Sequence, residues 1–78
     1  MGTTKRARPR KLARKLRKVR DGAGLSQSEI AKKLGVTDRA LISQFEGGKR
    51  QPPLPVLLKY ARLAGVTVDV LIDDKLKL

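Results

Sequence analysis

The chain has 78 residues, and its 19 Lys and Arg against 7 Asp and Glu give it a net charge of +12 and a pI near 11.0. One small domain is all that this length allows. The absence of Cys and His excludes disulfides, thiolate or imidazole metal sites and every Ser-His or Cys-His catalytic arrangement. No apolar run approaches the roughly 20 residues of a membrane span, and no apolar stretch follows the charged N-terminus as a secretory signal requires. A cytoplasmic protein without cofactor or metal is expected. A field of this sign recruits polyanions: nucleic acid, an anionic membrane or an acidic protein. With Phe45 and Tyr60 the only aromatic residues, base stacking on exposed rings is a poor fit, which weighs against single strands and RNA.

Residues 1–9 lack apolar periodicity and are expected to form a disordered basic arm. Ten of the 19 basic residues lie between Lys5 and Arg20 with no acid among them. From Arg10 the pattern turns helical, with Leu12, Leu16 and Val19 on one stripe. Lys11, Arg14, Lys15, Arg17 and Lys18 occupy the other sides, and Gly22 and Gly24 end the helix. Leu25-Ser26-Gln27-Ser28-Glu29 reads as a second helix start: Ser26 caps, Glu29 completes a capping box, and Leu25 and Ile30 suit a hydrophobic staple. Ile30, Ala31 and Leu34 form its buried face, and Gly35 stops it. A third helix opens near Asp38 or Arg39, places Leu41 or Ile42 and then Phe45 inward, and ends at Gly47-Gly48. After the loop from Lys49 to Pro53, Pro55 fits the first turn of a fourth helix. Leu54, Leu57, Leu58, Ala61 and Ala64 are its expected apolar face, and Gly65 ends it. Thr67 is placed to cap a fifth helix through Val68, Leu71 and Ile72, with Asp69 near its positive end. Residues 73–78 form a tail without an assigned element, and solvation is the simplest account of Asp73-Asp74. Five short helices without a hairpin signal predict an all-α domain over residues 10–72.

Two short helices joined by a tight Gly-containing turn are the plan of a helix-turn-helix. The first braces against the DNA backbone, and the second presents small and polar side chains to the major groove. Residues 26–46 meet these demands, with Ala31 small enough for close approach of the two helices. Here the sequence resembles the Cro/C1-type (XRE) helix-turn-helix family. The resemblance runs through Leu25-Ser26-Gln27-Ser28-Glu29-Ile30-Ala31, Leu34-Gly35-Val36 and Ile42-Ser43-Gln44-Phe45-Glu46-Gly47-Gly48-Lys49. It continues in Pro52-Pro53-Leu54, Leu57-Leu58 and Ala64-Gly65-Val66, and so covers roughly residues 10–72. It implies a compact, five-helix, lambda-repressor-like domain that binds double-stranded DNA, usually as a dimer. From the turn to Glu46 the sequence is one residue longer than the family pattern. Either Thr37 or Asp38 is then the cap of the third helix, and the two registers differ by about 100° of helix rotation. The Asp38 register is preferred because it places Ile42 and Phe45 together in the core.

By this resemblance Arg39, Ala40, Ser43 and Gln44 face the major groove. Arg39 has the geometry to hold guanine, Gln44 adenine, and Ala40 a thymine methyl group. Gln27 and Ser26 at the start of the second helix are phosphate contacts, where a free helix N-terminus favours an anion. Lys49 and Arg50 would reach the opposite strand, and Arg10 and Lys11, where the basic arm meets the first helix, complete the phosphate set. Glu46, a carboxylate near a polyanion, is expected to pair internally with an arginine of the first helix. The expected function is sequence-specific regulation of transcription, as a homodimeric repressor that occupies its operator at the bacterial nucleoid. Val68, Val70, Leu71, Ile72, Leu76 and Leu78 contain the expected dimer surface. Two other readings are an antitoxin-like module that holds a toxin or regulator protein as well as its promoter, and a non-specific coat on nucleic acid. Catalysis is not expected, since Asp73-Asp74, the only adjacent acids, lack metal-site spacing.

Overall fold

The computed structural model describes residues 10–78, so the expected arm over residues 1–9 lies outside it. Its elements are α1 (Leu12–Gly22), α2 (Gln27–Leu34), α3 (Arg39–Glu46), α4 (Leu54–Ala64) and α5 (Val68–Ile72), with no strand among the described residues. None of these helices is long and apolar enough to cross a membrane. α1 packs on α3, α4 and α5, α2 packs on α3 and α4, and α4 packs on α5. Each helix contributes one fully buried side chain to a shared centre: Leu16, Ile30, Ile42, Tyr60 and Leu71. Burying an aliphatic side chain of this size contributes about 1.5–3 kcal/mol, so the centre ties all five helices into one core.

The expected all-α, five-helix plan is the observed one. Leu12, Leu16 and Val19 are buried along α1, and Ile30, Ala31 and Leu34 along α2. Ser26 and Glu29 form the capping box: the Glu29 N–H donates to Ser26 Oγ at 3.1 Å and the Ser26 N–H to Glu29 Oε1 at 2.8 Å. Gly35 closes α2 at φ 71°, where a side chain would be strained. The Lys59 ammonium reaches across from α4 to the Leu34 carbonyl at 3.1 Å and satisfies one of the last acceptors of α2.

Four expectations need correction. Leu54 and Leu58 do not belong to the core face of α4: they are 60% and 41% exposed, while Leu57, Tyr60 and Ala61 are buried. The apolar run Leu54-Pro55-Val56-Leu57-Leu58 covers too much of the helix circumference for spacing alone to choose the inner side. Thr67 occupies the cap position of α5, but its side chain makes no capping bond. Lys15 does not sit on the solvated side of α1. It is 5% exposed, and its ammonium donates to the carbonyls of Val70, Asp73 and Leu76 at 2.6, 2.9 and 2.7 Å. Finally, Asp73 is exposed as expected, but Asp74 is not simply solvated. The Asp74 carboxylate accepts the main-chain N–H groups of Arg10 and Lys11 at 2.9 and 3.0 Å and caps α1, whose own N-cap residue supplies no side-chain bond. The C-terminal segment is thereby clasped along α1, with the Lys18 ammonium donating to a main-chain oxygen of Leu78 at 2.9 Å.

Candidate nucleic-acid interface

The turn between α2 and α3 settles the register of the second helix. Asp38 is the N-cap, and its Oδ1 accepts the Ala40 N–H at 2.8 Å. Thr37 is therefore the additional turn residue. Ile42 and Phe45 are both buried, whereas Leu41 is only half-buried against the core. Arg39, Ala40, Ser43 and Gln44 are all exposed. Arg39 with Ser43, and Ala40 with Gln44, are i,i+4 pairs about 40° apart around the helix. The four side chains thus form one continuous outer face, opposite the buried Ile42–Phe45 side.

The first turn of α2 stands beside this face. The Ser26 hydroxyl accepts one main-chain N–H and lies against the Glu29 carboxylate, which it helps to hold in its charged form. The first N–H groups of a helix have no partner within it, which leaves those of Gln27 and Ser28 for an outside acceptor. Gln27 is half-buried, and its Nε2 donates to Glu46 Oε1 at 3.4 Å, a long bond that sets the direction of the side chain.

Glu46 joins three helices. Its carboxylate accepts Arg20 Nε at 2.7 Å and Arg20 Nη2 at 3.0 Å, the bidentate geometry of a strong charge-assisted pair. The two side chains are only 6% and 15% exposed. The Arg20 Nη1 donates to the Leu25 carbonyl at 3.0 Å, so one guanidinium on α1 fixes the entry to α2 and the end of α3 together. The hydrogen bond to Glu46 raises the Arg20 pKa further above its ordinary value. The expected internal partner of Glu46 is therefore Arg20, and the carboxylate brings no unpaired negative charge to a polyanion. Tyr60 lies beneath this pair; burial pushes its phenol up, and its hydroxyl has no hydrogen-bond partner among the described residues.

Lys49 and Arg50 follow α3 with exposed side chains while their main-chain N–H groups return to the Gln44 carbonyl at 3.0 and 3.3 Å. Arg10, Arg50 and Gln51 border one shallow depression with Phe45 and Gly48. Lys11 is separated from this set: it lines a different groove, with Arg14, Lys15 and Lys18, on the side of α1 facing the C-terminal segment. The structure thus puts Arg39, Ala40, Ser43 and Gln44 on one face of α3, ties Gln27, next to Ser26, to the end of α3 through Glu46, and places Arg10 beside Arg50, which follows Lys49; Lys11 lines a different groove. Two residues of this surface were not singled out from the sequence. Gln51 extends the polar loop beside Arg50, a position its adjacency could have suggested. Arg20 orients other groups, and only tertiary contact identifies it among the three arginines of α1.

Residues 11–73 match the helix-turn-helix domain family. The chain is 38% identical over 58 residues to the SPbeta prophage-derived uncharacterized HTH-type transcriptional regulator YonR of Bacillus subtilis (strain 168). That match covers 74% of this chain and 53% of the relative, so the chain spans about half the length of the curated relative it matches. Among solved structures, the SinR protein/SinI protein complex superposes with a TM-score of 0.72 at 29% identity, over 82% of this chain and 62% of that chain. The restriction-modification controller protein C.AhdI from Aeromonas hydrophila gives a TM-score of 0.68 at 32% identity, over 80% and 92%.

Proposed function

This chain belongs to the Cro/C1-type helix-turn-helix family, and on that premise we propose that it regulates transcription as a homodimer that binds a specific double-stranded operator and represses by occupying it. The observation that supports this reading is the pairing of an exposed small and polar face on α3 with the exposed N-terminus of α2, both braced by Arg20 and Glu46. In this reading α3 lies in the major groove. Arg39 donates to guanine O6 and N7, Gln44 pairs with the adenine edge, Ala40 meets a thymine methyl group and Ser43 contacts an adjacent base edge. Gln27, Ser26 and the α2 N-terminus hold one phosphate strand, and Lys49, Arg50 and Arg10 hold the other. Lys11 adds only to the general attraction for phosphate.

Leu54, Leu58 and Ile72 expose 60%, 41% and 40% of their surface and form the proposed contact between two copies. Leu71, also considered for that contact, is fully buried in the core. The antitoxin-like reading gains no support from the segment after α5, which is clasped on α1. We place the protein's action at the nucleoid in the cytoplasm.

Selection of bound duplexes from a randomised pool at about 150 mM salt, which suppresses counterion-driven binding, tests the proposal. The expected product is an inverted repeat with half-site centres about 34 Å, one helical turn, apart. Failure of any sequence to enrich overturns base reading and leaves only non-specific coating. Within the selected site, Arg39→Ala should relax one position per half-site by about 1–3 kcal/mol of discrimination. An unchanged sequence logo removes Arg39 from the reading face.

A further inference from the structure

The side of α1 turned away from α3 carries a second basic surface. Around α1, Ala13 and Arg20 point towards α3 and its following loop. Lys11 and Lys18 lie about 140–180° away at 100° per residue. There Lys11, Arg14, Lys18 and Lys77 rim a groove of about 200 Å3 with Leu76 and Leu78 among its lining. Towards the end of α1 it meets an apolar depression of about 330 Å3, lined by Val19, Ala23, Leu63, Ala64 and Leu78, with Lys18 and Leu78 common to both. Among the described residues, no Asp or Glu carboxylate comes within ion-pair distance of Lys11, Arg14, Lys18 or Lys77; Lys18 donates to a main-chain oxygen of Leu78 at 2.9 Å, so Lys11, Arg14 and Lys77 carry the charge that the rim offers.

We propose that this surface docks an acidic, amphipathic segment of a different protein, with its carboxylates on the rim cations and an apolar side chain in the depression. Charge selects the class of occupant. Residues 1–9 of this chain contain Lys5, Arg6 and Arg8 and no acid, and a second copy presents the same excess of cations, so neither complements the rim. A duplex supplies phosphates but nothing to fill an apolar depression beside them. From Lys11 to Gly22 the surface is about 16 Å long at 1.5 Å per residue, the reach of a helix of three turns, and an amphipathic helix seated in a groove is a recurrent mode of recognition. The site lies apart from the α3 face, so the inference does not depend on base reading.

The test uses the isotopically labelled full chain and a synthetic acidic helical peptide of about three turns, with Leu on one face and Glu on the others. A control peptide has Ser in place of each Leu. The expected result is amide shifts over Arg14–Ala23 and Leu76–Leu78 with α3 undisturbed, and binding roughly tenfold weaker for the Ser peptide, which cannot fill the depression. The double variant Arg14→Gln/Lys77→Gln should bind the Leu peptide roughly tenfold more weakly, as loss of charge-assisted contacts requires. Its affinity for duplex DNA should stay within about twofold at 150 mM salt, where charges beyond roughly 8 Å are screened. Equal binding of the two peptides overturns the proposal, because charge alone would then account for it. Shifts centred on α3, displacement of the peptide by duplex DNA, or duplex-induced shifts centred on the groove overturn it too, because the occupant would then be nucleic acid.

Discussion

The N-termini of α1 and α2 meet the same requirement in opposite ways. Both leave main-chain N–H groups without helical partners. At α2 the solution is local: Ser26 and Glu29, three residues apart, exchange bonds within one turn. At α1 the partner is Asp74, more than 60 residues away in sequence, as its bonds to Arg10 and Lys11 show. The contrast extends to the two regions around these ends. The α2–turn–α3 unit is built from short-range signals, and Arg20 and Glu46 lock it from the side. The α1–C-terminal clasp is held by Lys15, one buried cation shared by three carbonyls that no short-range pattern announces. A local cap survives changes elsewhere in the chain, whereas a distant cap forms only when the whole domain closes.

The largest effect should come from removing the hub of the clasp. Lys15→Met keeps the aliphatic stem but deletes three charge-assisted bonds, of a kind that contribute about 1.5–3 kcal/mol each before relaxation. A loss of about 3–4 kcal/mol in denaturant unfolding is expected, together with faster amide exchange over residues 73–78. A loss under about 1 kcal/mol would mean that the segment holds to α1 without Lys15.

Glu46→Ala should follow, at about 2–3 kcal/mol, because it strands a mostly buried guanidinium whose partial exposure lets water offset some of the cost. Unlike Lys15→Met, it should also weaken duplex binding at matched folded fraction, since Gln27 loses the group that orients it. If duplex affinity of the folded protein is unchanged, Glu46 serves stability alone.

The two carboxylate caps should separate by pH. The N–H groups of Arg10 and then Lys11 hold the Asp74 carboxyl below its usual range, and the Ser26 N–H and then its hydroxyl do the same for Glu29. A carboxyl with a depressed folded-state pKa adds stability above its unfolded value, about 4. That contribution is lost as pH falls through the lower folded value. Asp74→Asn and Glu29→Gln should each lower the melting temperature at pH 7 and flatten its fall on acidification below about pH 4. Only Asp74→Asn should also loosen residues 73–78, while Glu29→Gln should loosen only the first turn of α2. Loosening of the C-terminal segment by both variants would remove the distinction between local and distant capping.

The smallest effect is expected for Tyr60→Phe. The hydroxyl is buried without a partner among the described residues, so deleting it removes an unsatisfied group while the ring remains. Stability should stay unchanged or rise by up to about 1 kcal/mol. A clear loss would show that the hydroxyl has a partner in solution, with Glu46 and Arg20 the nearest charges.

Much of the domain was legible in the residues. The capping box, the glycine stop at Gly35 and the stripe Leu12, Leu16 and Val19 all depend on contacts within one or two helical turns, and sequence spacing reports these directly. The Asp38 register followed from one further requirement, that Ile42 and Phe45 share a side. The exposed face of Arg39, Ala40, Ser43 and Gln44 is the complement of that choice. Elsewhere local spacing was insufficient. It put Leu54 and Leu58 inward, because a helix start rich in apolar residues has no unique inner face until α1, α2 and α5 pack against it. It put Lys15 outward, because nothing near it in sequence shows that three distant carbonyls will replace water around its charge.

The sequence by itself determined the all-α class and the helix-turn-helix pair and narrowed the register of the third helix to a cap at Thr37 or Asp38, because these rest on hydrogen bonds and apolar periods that close within a few residues. Only the tertiary structure decided which arginine would hold Glu46, which carboxylate would cap α1, and that Lys11 would lie apart from Arg10. Each of those depends on groups from separate elements meeting at hydrogen-bond distance or dividing between two sides of a helix. Such meetings are fixed by packing of the whole core and leave no period in the chain.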